Sequence, residues 1–107
     1  MQTEGYLQVY EAGKLTVVGF GGRDVLEDTN LAGYRDEITA LIQEHKCEVL
    51  AFDMTGVKLV PSGLLGLLAS LRQRGVSVKI YNASEDIREV LGITKLDQVL
   101  ELHEVEV

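Results

Sequence analysis

Cysteine, proline and basic residues are all scarce in this sequence of 107 residues, and each shortage excludes something. The lone cysteine, Cys47, has no second thiol to pair with, so no internal disulfide forms and a reducing cytoplasm is the expected compartment. The two histidines, His45 and His103, lie far apart and no Cys/His cluster has metal-ligand spacing, so no metal or other cofactor is expected. Lys and Arg number 10 against 17 Asp and Glu, and the resulting charge of −7 repels phosphate backbones and anionic lipid alike. Neither nucleic acid nor a membrane is an expected partner. Long apolar runs are missing too: the longest, residues 49–52 and 64–69, fall well short of the ~20 residues a membrane span needs. The opening Met-Gln-Thr-Glu-Gly-Tyr is neither basic nor followed by an apolar stretch, so it does not read as an export signal. What remains is a chain that is 46% hydrophobic and 25% charged, the balance of one soluble domain spanning residues 1–107.

The hydrophobic pattern divides the chain into alternating elements. Residues 6–10 and 15–20 read as strands joined by Glu11-Ala12-Gly13-Lys14, a Gly-containing connection typical of a hairpin. Residues 21–28 are polar and permissive and read as a surface loop, with Asp28, Thr29 and Asn30 as helix caps. Leu31, Tyr34, Ile38, Leu41 and Ile42 then recur at helical spacing. Val49-Leu50-Ala51-Phe52 is continuously apolar, which predicts a central strand covered on both faces. Pro61-Ser62-Gly63 opens a second helix with Leu64, Leu67, Leu68 and Leu71 on one stripe, closed by Arg72, Arg74 and Gly75. Val76, Val78 and Ile80 alternate with polar residues as a strand does. Asn82-Ala83-Ser84 caps a third helix that turns Ile87, Val90 and Leu91 inward and stops at Gly92. Residues 96–102 fit a short helix or turn running into an extended tail. This order predicts an α/β fold, with a mixed, mostly parallel sheet that opens on an antiparallel hairpin and helices packed against it.

Familiar catalytic signatures are not met. Gly19-Phe20-Gly21-Gly22 follows a strand but lacks the third spaced glycine and a prompt helix start, so it reads as a loop and not as a dinucleotide fingerprint. No Gly-Lys-Ser or Gly-Lys-Thr occurs, which removes the phosphate-binding loop of nucleotide hydrolases. Ser62 stands in no nucleophile elbow, and His45-Lys46 beside Cys47 suits a helix C-terminus better than an activated thiol. Asp53 ends a strand as a receiver phosphoacceptor does, but the first parallel strand offers no carboxylate pair for Mg²⁺, and Asp24, Glu27 and Asp28 read as solvated loop charges. No catalytic residue is assigned and the chain is not read as an enzyme.

The informative segment is Asp53-Met54-Thr55-Gly56-Val57-Lys58-Leu59-Val60-Pro61-Ser62-Gly63-Leu64-Leu65-Gly66-Leu67-Leu68. It resembles the STAS domain signature, in which an Asp-φ-Ser-Gly-Val strand exit precedes Asp-Ser-Ser-Gly-Leu-Gly and a leucine-rich helix. Residues 74–82 and 87–100 look like the family's following strand, C-terminal helix and closing segment, so the likeness runs through nearly the whole chain. The resemblance implies a single STAS-like domain acting as an anti-sigma factor antagonist. Such a module is non-enzymatic: it binds an anti-sigma factor kinase or related regulatory protein, and the kinase phosphorylates a serine at a helix start to switch the association off. An ungapped match sets Ser62 on that serine and Pro61 on the aspartate before it, with Gly63 and Leu64 in place of the next Ser and Gly. A shift of one residue aligns Gly63 with the glycine and puts Pro61 on the phosphoacceptor; the ungapped match is preferred because it also superposes Gly66 and the leucines beyond.

Read from spacing alone, Ser62 is an N-cap. Leu64 and Leu65 occupy adjacent faces of the first turn, which predicts that at least one stays on the surface and joins Pro61, Ser62 and Gly63 in a partner-binding patch. Two other readings compete: a constitutive scaffold or oligomerisation module that has lost phosphorylation, since Pro61 replaces the acid, and a small-ligand or nucleotide binder resting on fold analogy alone. A homodimer is compatible with either regulatory reading. The acidic residues Glu101, Glu104 and Glu106 read as a solvated tail.

Overall fold

The computed structural model describes residues 7–20 and 31–103. The polar loop at 21–28, the caps at 28–30 and the tail charges Glu104 and Glu106 lie outside the described residues. Strands β1 (Gln8–Glu11) and β2 (Leu15–Gly19) form the expected hairpin. Its turn is tied by Thr16, whose fully buried Oγ1 donates to the Gly13 carbonyl at 2.9 Å and accepts from the Gly13 amide at 3.2 Å. Helix α1 (Leu31–His45), strand β3 (Val49–Asp53), helix α2 (Ser62–Ser70), strand β4 (Ser77–Tyr81), helix α3 (Glu85–Ile93) and strand β5 (Glu101–His103) follow. The five strands are ordered β1-β2-β3-β4-β5, the first pair antiparallel and the rest parallel, so β3 is central as its apolar run predicts.

Each parallel connection steps one strand in the same direction. Right-handed crossovers that all step the same way leave their helices on the same face of the sheet. The burial pattern agrees: Tyr34 and Ile38 of α1, Leu64, Leu65 and Leu68 of α2, and Ile87 and Leu91 of α3 share one cluster with Val18, Leu50, Phe52, Val78 and Ile80. The expectation that β3 is covered on both faces therefore holds for the helix side only among the described residues. Its side chains alternate, with Leu50 and Phe52 beneath the helices and Val49, Ala51 and Asp53 on the opposite face. The apolar run arises because Val49 and Ala51 sit on that second face, and not because a further helix layer exists among the described residues.

The helix ends follow local chemistry. His45 lies in the last turn of α1 and Lys46 takes a left-handed conformation (φ 50°) just after it. Buried Cys47 rests with its thiol 3.1 Å from the Val49 carbonyl. Beyond Ser70, α2 tightens into a 3₁₀ turn over Leu71–Arg74, so the stretch expected as one helix is α-helical only in its first two-thirds; Gly75, at φ 84°, closes it as expected. Helix α3 runs past Gly92 to Ile93. It ends where the Thr94 hydroxyl bonds back to the Val90 carbonyl at 2.7 Å and Lys95 turns left-handed, so the glycine is not its stop. The ambiguous segment resolves into a 3₁₀ turn over Leu96–Gln98 and the short strand β5.

Candidate functional site

All parallel strands of the sheet end on one side of the molecule, where α2 begins. Asp53 leaves β3 there, and its Oδ1 accepts from both the Thr55 amide (3.0 Å) and the Thr55 hydroxyl (2.6 Å). Asn82, at the end of β4, donates from Nδ2 to Thr55 Oγ1 at 3.1 Å, so the two strand exits are cross-linked through one threonine. Gly56, at φ 82°, then turns the chain back so that the Val57 amide bonds to the Met54 carbonyl and Val57 enters the core. The following segment, 58–60, is anchored from α3. Ser84 accepts the Ile87 amide as N-cap (3.2 Å) and its hydroxyl donates to the Lys58 carbonyl (3.3 Å). Replacing Ser84 by alanine removes both bonds, and thermal melts are expected to show a loss of about 1 kcal/mol, the size of a helix cap.

Pro61 is the residue that precedes the helix, with φ −66° and ψ 141°, and its carbonyl takes the Leu64 amide at 3.0 Å and the Leu65 amide at 3.4 Å. Ser62 is thus the first helical residue and not the N-cap; its hydroxyl is exposed and makes no hydrogen bond among the described residues. A proline at the cap leaves no side-chain oxygen for the first amides, and those of Ser62 and Gly63 have no backbone acceptor among the described residues. Gly63 is exposed on one side and tightly approached on the other. A methyl group there would stand 3.0 Å from Leu31 Cδ2, so the glycine lets the start of α1 close on the start of α2.

Leu64 and Leu65 are both buried, at 0% and 1% exposure, which corrects the expectation that one of them joins a surface patch. Two adjacent helical positions can be buried together because α2 lies with its axis pressed into the core: α1, the sheet and the 57–60 segment meet it over a wide arc, leaving only Ser62, Gly63, Gly66 and Ser70 exposed. Apolar surface near Ser62 comes instead from Leu59, which is 54% exposed, and from half-buried Val60. These two line a shallow groove with Val90 of α3, whose side chain is 36% exposed and so does not point fully inward as its spacing suggested. Lys58 and Asp86 border the same groove. The sequence signal for Leu59 was faint, because residues 57–60 are neither helix nor regular strand and no periodicity assigns a face.

Among the described residues no three His, Cys, Asp or Glu side chains converge as a metal site. No described helix is long and apolar enough to cross a membrane. The order of strands and helices, with α2 starting at the strand ends after a hydrogen-bonded Asp-x-Thr-Gly turn, is matched at the level of sequence: residues 7–106 fit the STAS domain. The chain belongs to the STAS domain family. Solved STAS structures share its fold. An anti-sigma-factor antagonist (STAS) domain protein from Planctomyces limnophilus superposes with a TM-score of 0.81 at 20% identity, over 97% of this chain and 93% of that one. The anti-sigma factor antagonist SpoIIAA in its unphosphorylated form gives 0.76 at 14% identity, over 90% and 86%. The Bacillus cell fate determinant SpoIIAA in its phosphorylated form gives 0.65 at 17% identity, over 90% and 89%. No curated protein matches the sequence.

Proposed function

We propose that this STAS domain is a cytoplasmic, non-catalytic regulatory module that binds an anti-sigma factor with serine kinase activity, and that phosphorylation of Ser62 turns the association off. The observation that carries this reading is the Ser62 hydroxyl itself: exposed, free of hydrogen bonds among the described residues, and set at the first position of α2. A kinase could reach it without unfolding anything. The phosphate would sit by the amides of Ser62 and Gly63 and the positive end of α2, so the domain tolerates it. A partner docked over Pro61, Ser62, Gly63 and the apolar Leu59 would not, because about −1.5 to −2 charges would be driven into a desolvated contact. Leu64 and Leu65 serve this surface from beneath, by fixing the helix that presents it.

The proline at position 61 supports a second reading. Where the family signature carries an aspartate this chain has a side chain with no charge and no hydrogen-bonding group, which suits a constitutive scaffold that partners regardless of ATP. Phosphopeptide mapping of the protein recovered from its own cells separates the two. Phosphate on Ser62, lost in Ser62→Ala, is the expected result; its absence under both growth and stress would favour the constitutive module.

A further inference from the structure

The face of the sheet opposite the three described helices carries its side chains in rows set by the strand register. One row runs Val17, Ala51, Lys79 and Glu101; the next, at the strand ends, runs Gly19, Asp53, Tyr81 and His103. Ala51 is only 1% exposed although it lies outside the helix-side core, because its larger neighbours stand above it. It floors a depression of about 420 Å³ walled by Leu15, Val17 and Tyr81, which ends at Asp53, Thr55 and Asn82. That volume lies in the range of small-molecule sites.

The end of the depression has a particular chemistry. Asp53 Oδ1 holds both Thr55 donors, while Oδ2 accepts no hydrogen bond and the carboxylate enters no ion pair among the described residues. Tyrosines stand on both sides of it. Tyr81 occupies the neighbouring position on β4 and stacks on His103, with ring centres 5.1 Å apart. On the β2 side the neighbour is Gly19, and Tyr10 fills the space above it: a methyl group on Gly19 would stand 2.6 Å from the Tyr10 hydroxyl and 2.8 Å from its ring. Tyr10 follows Val9, which pairs with Val18 of the helix-side core, so strand alternation sets it on this face, beside an irregularity in the β1 register between Val9 and Glu11. Adjacent strands lie about 4.8 Å apart, so a carboxylate is bracketed by two aromatic rings over a span of three strands. Lys79 faces the same side, but its register partner on β5 is Glu101, which offsets its charge.

We propose that this depression binds a small organic ammonium ion carried on a short apolar or aromatic stem. The ammonium group donates to Asp53 Oδ2 and lies between the Tyr10 and Tyr81 rings, whose faces attract cations. The stem rests on Ala51, Val17 and Leu15. A bare metal ion does not fit, since hard cations need several oxygen ligands and no group of three or more His, Cys, Asp or Glu side chains converges among the described residues. This site is independent of Ser62 and of the partner-switch reading.

The test is a two-dimensional NMR titration of the intact protein with phenethylammonium, alongside neutral 2-phenylethanol and anionic phenylacetate. Saturable shifts at the amides of Ala51, Asp53 and Asn82 are expected for the ammonium probe, at least fivefold weaker binding for the alcohol, and none for the carboxylate. Asp53→Asn should weaken the ammonium probe tenfold or more and erase its preference over the alcohol. Gly19→Ala, which displaces only the flexible tip of Tyr10, should weaken it severalfold with the remaining spectrum unchanged. Equal responses to all three probes, shifts confined to other surfaces, or an affinity indifferent to both variants would overturn the proposal.

Discussion

Leu65→Ala is expected to lower the unfolding free energy by about 2–5 kcal/mol, a large part of the total for a domain of this size. The side chain is 1% exposed and lies in the cluster that joins α2 to the sheet, so truncation leaves a cavity that the surrounding helices cannot close. Denaturant titration checks it: the midpoint should fall sharply while the slope with denaturant concentration stays constant. The expected cost also fixes how Leu65 bears on function. A charged residue there would abolish association by unfolding the domain, so loss of partner binding in Leu65→Asp would say nothing about a docking surface. Leu59→Ser is the informative change, since that side chain is 54% exposed and a surface substitution there should alter stability by no more than about 0.5 kcal/mol.

Phe52→Ala is expected to cost about 3–5 kcal/mol, at the upper end for a single truncation. Phe52 is fully buried in the central strand, paired with Val18 on one side and Ile80 on the other. Its ring stacks on Phe20 at 6.1 Å, and Phe20 in turn meets the edge of Tyr34 at 5.8 Å, so one ring holds β3, the end of β2 and α1 in register. Calorimetry should show the melting temperature falling by more than for Leu65→Ala. Phe52→Leu, which restores most of the volume, should recover more than half the loss.

Element order and type were legible because each helix carries apolar residues at helical spacing and each inner strand a run of branched or aromatic residues. Tyr34 and Ile38, four apart, and Val78 and Ile80, two apart, are buried as their periods require. What escaped was anything set by how elements meet. Leu64 and Leu65 share the interior because several neighbours wrap α2 at once, a fact absent from the helix's own period. Val90 is displaced to the rim because the 58–60 segment, not a helix, lies beside it. Pro61 takes the cap from Ser62 because a fixed φ suits the entry to the helix even without a side-chain acceptor. At the candidate site the sequence located Ser62 and its neighbours on the surface, yet attributed the greasy part of that surface to leucines that serve the core. The aromatic groups around Asp53 had no sequence signal at all, since Tyr10, Asp53 and Tyr81 lie about 30 to 40 positions apart and meet only through the pairing of strands and the space over Gly19.

Because every parallel strand pairs with the strand before it in the chain, no strand must wait for a distant partner. Assembly can advance in the direction of synthesis, each strand–helix–strand unit docking on the edge left by the previous one, with loop closures kept short. The Ser62 surface is finished late in such a sequence. Its helix can dock once β3 is in place, but the hydroxyl that ties down the Lys58 carbonyl belongs to Ser84, which arrives with α3. A nascent or truncated chain that stops before residue 84 would carry Ser62 and the 58–60 segment without that tie, so the surface proposed for a partner matures only once α3 has been made.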